Sequence, residues 1–491
     1  MNPIITQYRN ALKSSFQLSP SLHRNFASLS SDIKTVGEFL SRKLEKKDLG
    51  IEVGSLNYVQ NSPYYFIRTK ALQNYTFLPE FSNESLERIH PKSFKNYNLK
   101  EGDIIISKDS NIGEAVILDK DYPNYMPSGA IYRLPINEKK YYLLAFLKHN
   151  FFRNQLDNIV PKGATIRHAG TKFLDCKIPL PTNNTNEIVN YVETLMKFII
   201  EIEKTIKLKF ALINNIVNSE LESGQKPNKF YFEQPSFLEL VNLKRLDTGA
   251  YSEKFKTIDF LLKNYNQGFF YIEPDRLKGG NTPTPRIIGD DKDLKYKWIT
   301  PTNCSDIGYI LIDERISMPN ENNLNENAML LVNRTSRGGR GEYVGIAVFY
   351  DLNFYGKGHH NQGIYRVSKY PDKDLIFMVC FMNTEMMRQY CAYLCVGSKM
   401  KELKANHFLN IPFPRFGDEI KAQIVNLFYK KQNNALSYSD FLSETGIFQL
   451  HDHLKKLKMK LNFIIDKIIK DEEINTDESL LSATLSTIGA K

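Results

Sequence analysis

Residues 183–222 read NNTNEIVNYVETLMKFIIEIEKTIKLKFALINNIVNSELE, and this stretch decides the fold. Its apolar residues alternate spacings of four and three, which is the pattern of a long helix with a narrow seam facing another helix. Prolines precede the stretch and Gly224 follows it, so both ends carry helix boundary signals. About 35 residues at ~1.5 Å each would make a helix roughly 50 Å long. The seam comprises Ile188, Val192, Leu195, Ile199, Ile202 and Ile206, and resumes at Ile213 and Ile216.

A second seam lies in the C-terminal part of the sequence, where apolar residues step by four, three, four, three and four. Each seam is too narrow for a solitary core helix, but the two complement each other. We therefore predict that two spacer helices pair as an antiparallel coiled coil. The second seam comprises Leu450, Leu454, Leu457, Leu461, Ile464 and Ile468.

The segments that precede the two seams repeat each other. Gly-Ala-Ile-Tyr-Arg at 129–133 matches Gly-Ile-Tyr-Arg at 363–366, and Ile-Pro-Leu-Pro at 178–181 matches Ile-Pro-Phe-Pro at 411–414. The interval from Tyr132 to Tyr365 equals the interval from Ile178 to Ile411. Short, aromatic-rich strand patterns precede these motifs in both halves. An offset that is kept at separate motifs indicates a duplicated domain rather than a short-period solenoid.

The predicted fold class is α+β, with two pseudo-repeated β-rich domains separated by long helices. At 491 residues with 42% hydrophobic residues, the chain can build two or more cores. The predicted boundaries are 1–182 for the first domain, 183–222 for the central helix, 223–416 for the second domain, 417–470 for the C-terminal helices and 471–491 for a tail.

Charge and cysteine usage narrow the class of protein further. The net charge of +10 and the pI of about 9.0 favour an anionic partner, although charge alone does not identify it. Five scattered cysteines give no disulfide framework, and no apolar run suggests a secretory signal or a membrane span. We expect a cytoplasmic protein with reduced thiols and no membrane contact.

The chain resembles the specificity subunits of type I restriction–modification systems. The matching pieces are the strand at 102–108, the Gly-Ala-Thr-Ile-Arg-His loop at 163–168 and the Ile-Pro-x-Pro motifs before each helix. The resemblance covers about residues 33–469. The second half departs from it by replacing Gly102-Asp103 with Asn327-Ala328 and by inserting an Arg-Gly loop.

In that family, each globular unit is a target recognition domain that reads one half of a split, asymmetric site on double-stranded DNA. The resemblance implies a non-catalytic subunit whose helices dock two modification (methyltransferase) subunits, with restriction (endonuclease) subunits as further possible partners. It implies no cofactor in this chain. S-adenosylmethionine, ATP and Mg²⁺ would belong to the partner subunits.

Candidate DNA-binding residues lie in polar, glycine-containing loops. Glycine lets the backbone approach a groove, and arginine forks match guanine edges or phosphates. The alternative interpretation is that these loops are solvated turns or connectors. The candidates are Lys108, Ser110, Asn111, Lys162, Arg167 and His168 in the first half, and Asn281, Thr284, Arg286, Arg334, Arg337, Arg340, Lys399, Lys401 and Lys404 in the second.

Catalytic and metal-binding motifs are weak. Asn61-Ser62-Pro63-Tyr64 lacks the first proline of an amino-methyltransferase motif, and no glycine-rich cradle for S-adenosylmethionine or ATP is present. His359-His360 with Cys391 and Cys395 lacks the usual spacing of zinc ligands, so we predict no metal site. Two alternatives stay open: a self-contained DNA methyltransferase or nuclease with degenerate motifs, and a protein-binding scaffold without DNA recognition.

Overall fold

The structure, a computed structural model, describes residues 30–81, 85–160, 168–243, 245–246, 248–289, 294–311, 314–317, 323–334, 344–397, 400–431 and 437–474. The chain divides into two compact units, of which the first comprises Met1–Thr205 with Asp452–Lys491 and the second comprises Ile206–His451. Each division falls inside a long helix, so each unit contains a globular part and a part of both helices.

The described residues of the first unit contain short strands, two shorter helices, the beginning of the long central helix and most of the last helix. The strands are β1 Ile33–Thr35, β2 Tyr65–Ile67, β3 Leu86–Arg88, β4 Ile104–Ser107, β5 Ala115–Ile117, β6 Tyr125–Pro127, β7 Ile131–Leu134 and β8 Lys177–Pro179. The helices are α1 Lys140–Lys148, α2 Asn150–Ile159 and the long α3 Thr185–Ser223.

The second unit repeats this order with additions. Its strands are β9 Phe269–Phe270, β10 Leu277–Gly279, β11 Ile287–Gly289, β12 Tyr296–Ile299, β13 Arg315–Ser317, β14 Ala328–Val332, β15 Ala347–Tyr350, β16 Gly358–His360, β17 Ile364–Ser368 and β18 Phe413–Pro414. The helices that begin in it are α4 Phe237–Leu243, α5 Glu253–Lys263, α6 Leu352–Tyr355, α7 Asp372–Met382, α8 Glu385–Leu394, α9 Ala405–Leu409, α10 Asp418–Phe428, α11 Tyr438–Glu444 and α12 Ile447–Lys470.

Strand pairing confirms the predicted pseudo-repeat. In the first unit β2 lies between antiparallel β3 and parallel β6, and β4 lies between antiparallel β5 and β7. In the second unit β12 has the same relation to β13 and β16, and β14 has the same relation to β15 and β17. Strands β10 and β11 extend these two sheets of the second unit, and β9 pairs with β18 in a separate two-stranded sheet. The units therefore share one topology.

The register shows which residues of the two units are equivalent. Ile106 pairs with Tyr132, and Leu331 pairs with Tyr365. The interval from Ile106 to Leu331 is shorter than the interval from Tyr132 to Tyr365, so the second unit has additional residues between β14 and β17. Most of these residues lie in the longer connection between β14 and β15.

The apolar residues of the strands build a separate core in each unit. Phe66, Ile105 and Val116 are buried in the first, and Ile299 and Leu330 are buried in the second. These side chains come from strands of both sheets, so burial of their apolar surface holds the sheets together. The loops that follow β4 and β14 are therefore attached to strands that the core holds in place.

The six seam residues from Ile188 to Ile206 and the six from Leu450 to Ile468 are each 0–4% exposed. Within the first unit, α3 and α12 run antiparallel, because Thr182 bonds to Asp471 at 2.7 Å while Glu203 bonds to Lys458 at 2.6 Å. The buried face of α3 is wider than a narrow seam, since Val189 is buried as well. Helix α3 therefore packs against the globular part of its unit as well as against α12.

The seam drifts along the second part of α3. Ile213 is buried as expected, but the next buried positions are Val217 and Leu221, whereas the predicted Ile216 is only half-buried. A straight α-helix has 3.6 residues per turn and moves out of phase with a strict seven-residue repeat. The predicted seam position Ile216 is therefore wrong by one residue, and Val217 takes its place because of that drift.

A charged network attaches the segment 75–77 to both helices of the first unit. The Glu203 carboxylate accepts hydrogen bonds from Phe77 N at 2.8 Å and Thr76 Oγ1 at 3.0 Å. Lys458 Nζ lies 2.6 Å from the same carboxylate and donates to Tyr75 O at 2.8 Å. Nearby, burial lowers the pKa of Lys148 to about 8. Glu203 is therefore a buried charge whose partners lie on two separate segments.

Candidate nucleic-acid interface

The end of β4 carries the first group of predicted DNA-binding residues. Lys108 N donates to Ala130 O at 2.8 Å, and Ala169 N donates to Lys108 O at 2.8 Å. Lys108 Nζ lies 2.6 Å from one oxygen of Asp109, and His168 Nδ1 lies 2.7 Å from the other. The structure thus brings Lys108 and His168 together, but it places both beside a carboxylate.

The end of β14 has the same backbone frame. Asn333 N donates to Gly363 O at 2.9 Å, and Leu403 N donates to Asn333 O at 2.8 Å. Arg334 Nη2 lies 3.0 Å from Glu402 Oε1. Arg334 thus has an intramolecular partner, as Lys108 has in the first unit.

The ion pairs at the two strand ends occupy equivalent positions with exchanged charges. The backbones of Asp109 and His168 form an isolated antiparallel bridge, and those of Arg334 and Glu402 form another. The acidic residue follows the strand in the first unit, whereas the basic residue follows it in the second. Partly exposed ion pairs contribute only about 0–1 kcal/mol to stability. Their larger effect is to orient the side chains that face solvent.

A glycine loop lies beside each strand end. A Cβ atom on Gly280 would lie 2.1 Å from Asn361 O, and one on Gly50 would lie 2.1 Å from Ser128 O. Only glycine allows the loop to approach the sheet so closely. The loop 280–286 is among the predicted DNA-binding segments, but its counterpart 50–56 is not. Gly50 is the sequence signal that could have indicated the first-unit loop.

The predicted residues of loop 280–286 differ in their availability. Asn281 Oδ1 lies 2.6 Å from His359 Nε2, so this oxygen already has a partner, and burial lowers the pKa of His359. Thr284 is exposed. Arg286 is also exposed, and its guanidinium donates to Pro283 O at 2.9 Å.

Gln362 links the glycine loop of the second unit to the end of β14. Its side-chain oxygen accepts a hydrogen bond from Thr282 at 2.6 Å, and its backbone oxygen accepts one from Asn333 Nδ2 at 3.2 Å. Gln362 is exposed and is not among the residues predicted from the sequence. Its sequence signal is its place directly before the repeated Gly-Ile-Tyr-Arg motif.

The remaining predicted residues lie around these segments or outside the described residues. Ser110 is exposed with a positive φ of 61°. Asn111 Nδ2 donates to Leu72 O at 3.4 Å. Lys401 flanks Glu402 and is half-buried, while Lys404 is exposed. The predicted residues that lie outside the described residues are Lys162, Arg167, Arg337, Arg340 and Lys399.

The described residues contain no group of three or more histidine, cysteine or acidic side chains placed to hold a metal ion. His359 instead stacks on Trp298, with ring centroids 5.7 Å apart. Burial raises the pKa of the Cys391 thiol to about 12, which disfavours the thiolate that binds metals. In the same part of the chain, no helix is long and apolar enough for a membrane span.

Comparison with protein families gives a match for residues 34–210. Residues 34–210 match the model described as "Type I restriction modification DNA specificity domain". Residues 34–210 are therefore similar to type I restriction–modification specificity domains. The resemblance seen in the sequence is confirmed for these residues, which run from β1 into α3. A search of curated protein sequences gave no match.

Three solved structures match 89–93% of the chain at 11–12% identity. The S subunit of a type I restriction–modification system from M. genitalium has a TM-score of 0.38 at 12% identity and covers 93% of this chain and 100% of its own. A structure described by "complex assembly" and "conformational transition of the type I R-M system" has a TM-score of 0.28 at 12% identity, and the match covers 93% of this chain and 99% of the other. The HsdS subunit from Thermoanaerobacter tengcongensis has a TM-score of 0.25 at 11% identity, and the match covers 89% of this chain and 96% of the other. All three TM-scores are below 0.5, so the specificity-domain assignment rests on the sequence match.

Proposed function

We propose that this chain is the DNA sequence-recognition subunit of a type I restriction–modification complex, and that each unit reads one half of a bipartite site. The observation that carries the proposal is the specificity-domain match over residues 34–210. The second unit repeats the strand pairing of that domain, which supports the same role for it.

The proposed site is asymmetric because equivalent positions carry different chemistry. Asp109 with His168 in the first unit corresponds to Arg334 with Glu402 in the second. Base edges in the major groove differ in their donors and acceptors, so readers with different side chains select different sequences. Two such readers on one chain would select two different half-sites.

We further propose that the long helices dock two modification subunits. Two side chains on α12, Met459 and Phe463, are each 61% exposed. They are spaced four residues apart, so they lie on one face of the helix. An exposed apolar pair on one helix face supports the proposal that this face binds a partner protein. The chain itself would be non-catalytic, and S-adenosylmethionine, ATP and Mg²⁺ would be bound by modification and restriction subunits.

The proposal is tested by selecting duplexes from a random library, with the purified chain alone and with modification subunits. We expect an asymmetric, gapped site whose binding weakens with salt, and no binding of S-adenosylmethionine by the chain alone. Binding of that cofactor by the chain alone would favour the self-contained methyltransferase. A complex with modification subunits that binds no DNA would favour the scaffold.

Asp109 provides a second prediction, since it forms an ion pair with Lys108 at the proposed interface and also lies against His168. Asp109→Asn should raise the affinity for non-specific DNA and steepen the salt dependence by about one counterion. Binding is measured across a salt series with modification subunits present. Asp121→Asn is the matched control, because Asp121 pairs with Lys100 just before the start of β4, opposite the proposed interface. Equal effects of both variants would contradict the placement of the interface.

A further inference from the structure

We infer that each unit presents a base-reading side chain where its glycine loop meets the turn before β7 or β17. This side chain is Gln362 in the second unit and Glu52 in the first. The chemistry of the two groups assigns adenine to Gln362 and cytosine to Glu52. The inference deepens the proposed function and rests on it.

The two positions are equivalent parts of the repeat. Gly50 N donates to Ile131 O at 3.0 Å, and Gly280 N donates to Ile364 O at 3.2 Å. These bonds place Glu52 of the first glycine loop at the position of Thr282 in the second. In the same register, Gly129 of the first unit corresponds to Gln362 of the second.

The side chain at this position comes from the turn before the strand in one unit and from the glycine loop in the other. In the second unit, Gln362 extends from the turn before β17 and contacts Thr282 at 2.6 Å. In the first unit, that turn carries Gly129, and Glu52 occupies the space instead. A Cβ atom on Gly129 would lie 2.8 Å from Glu52 Oε1. Glu52 and Gln362 therefore fill the same volume and are both exposed.

The Gln362 side chain makes an intramolecular hydrogen bond and still has hydrogen-bonding groups that can contact a base. The Thr282 hydroxyl bonds to one end of the amide and fixes its plane. A carbonyl oxygen has two lone pairs, so it can accept a second hydrogen bond. Arg334 and Asn281, by contrast, are bonded to Glu402 and His359. The backbone of Gln362 is anchored to Asn333, which keeps the point rigid.

The functional groups determine the bases. A glutamine amide donates to N7 and accepts from the exocyclic amine of adenine, a pair of bonds that guanine cannot offer because both of its groups accept. A glutamate carboxylate accepts only, and it pairs with the exocyclic amine of cytosine. The exchange of side chains between the units therefore predicts different bases at one position of each half-site.

The test is base-preference profiling of the full chain assembled with modification subunits, for Gln362→Ala and Glu52→Ala. Each variant should lose about 5- to 150-fold of discrimination at one position of its own half-site and leave the other half-site unchanged. Each variant is thus the control for the other. Gln267→Ala, an exposed glutamine elsewhere in the second unit, should change nothing.

The isosteric variant Gln362→Glu sharpens the test, because it keeps size and backbone while removing the donor. It should change the preference at the affected position from adenine to cytosine. Unchanged profiles, or equal losses at every position, would overturn the inference while leaving the proposed function standing. Absence of any sequence preference in the assembly that contains the unsubstituted chain would overturn the proposed function itself.

Discussion

Replacing Ile199 with Asp should unfold the first unit or bring it close to unfolding at room temperature. Ile199 is fully buried on α3. Loss of a buried isoleucine side chain costs about 2–5 kcal/mol, and an unpaired buried carboxylate adds to this cost. Since whole domains are stable by only about 5–15 kcal/mol, the expected loss is a large part of the total.

Guanidinium unfolding followed by far-ultraviolet circular dichroism measures this loss. Leu208→Asp is the matched control, because Leu208 lies on the same helix but is 62% exposed. Its effect should stay within about 0.5 kcal/mol. A midpoint for Ile199→Asp that equals the control would show that the seam does not stabilise the unit.

The second large effect concerns the Glu203–Lys458 pair, which joins α3 to α12 within the first unit. The Glu203 side chain is 7% exposed and that of Lys458 is 26% exposed. Lys458→Met keeps most of the side-chain length but leaves the carboxylate without its cation. Removal of one partner of a buried pair costs about 3–5 kcal/mol, and partial exposure of Lys458 places the expected loss near the lower end of that range.

Two further variants separate the charge from the contact. Adding Glu203→Gln to Lys458→Met removes the isolated charge and should recover more than half of the lost stability. Lys456→Met breaks only the Lys456–Asp452 pair, in which Lys456 is 70% exposed, and should cost less than about 1 kcal/mol. Equal losses in Lys456→Met and Lys458→Met would refute the role of the Glu203 pair.

The architecture could be predicted from the sequence because it depends on local patterns. Helical periodicity reports which side chains face a partner, and the predicted seam positions from Ile188 to Ile206 and from Leu450 to Ile468 are buried in the structure. The pseudo-repeat was visible from motifs kept at one constant offset, and the strand pairings repeat accordingly. Even here, the drift from Ile216 to Val217 required the geometry of a straight helix.

The chemistry of the candidate site could be predicted only in part. The sequence predicts Lys108 and Arg334 as DNA-binding cations in polar loops. Their carboxylate partners are Asp109, which is adjacent to Lys108, and Glu402, which is distant from Arg334 in the sequence. No local pattern connects Arg334 with Glu402, because backbone bonds of the folded sheet bring them together.

The sequence by itself therefore determined the α+β class, the duplication and the two helical seams, since each depends on residues close together or on a repeated spacing. Only the tertiary structure decided which side chains meet at the strand ends. Glu52 is distant from Gly129 in the sequence, and Thr282 is equally remote from Gln362. Loops from distant parts of the chain converge there because β-sheet pairing, a long-range interaction, positions their ends.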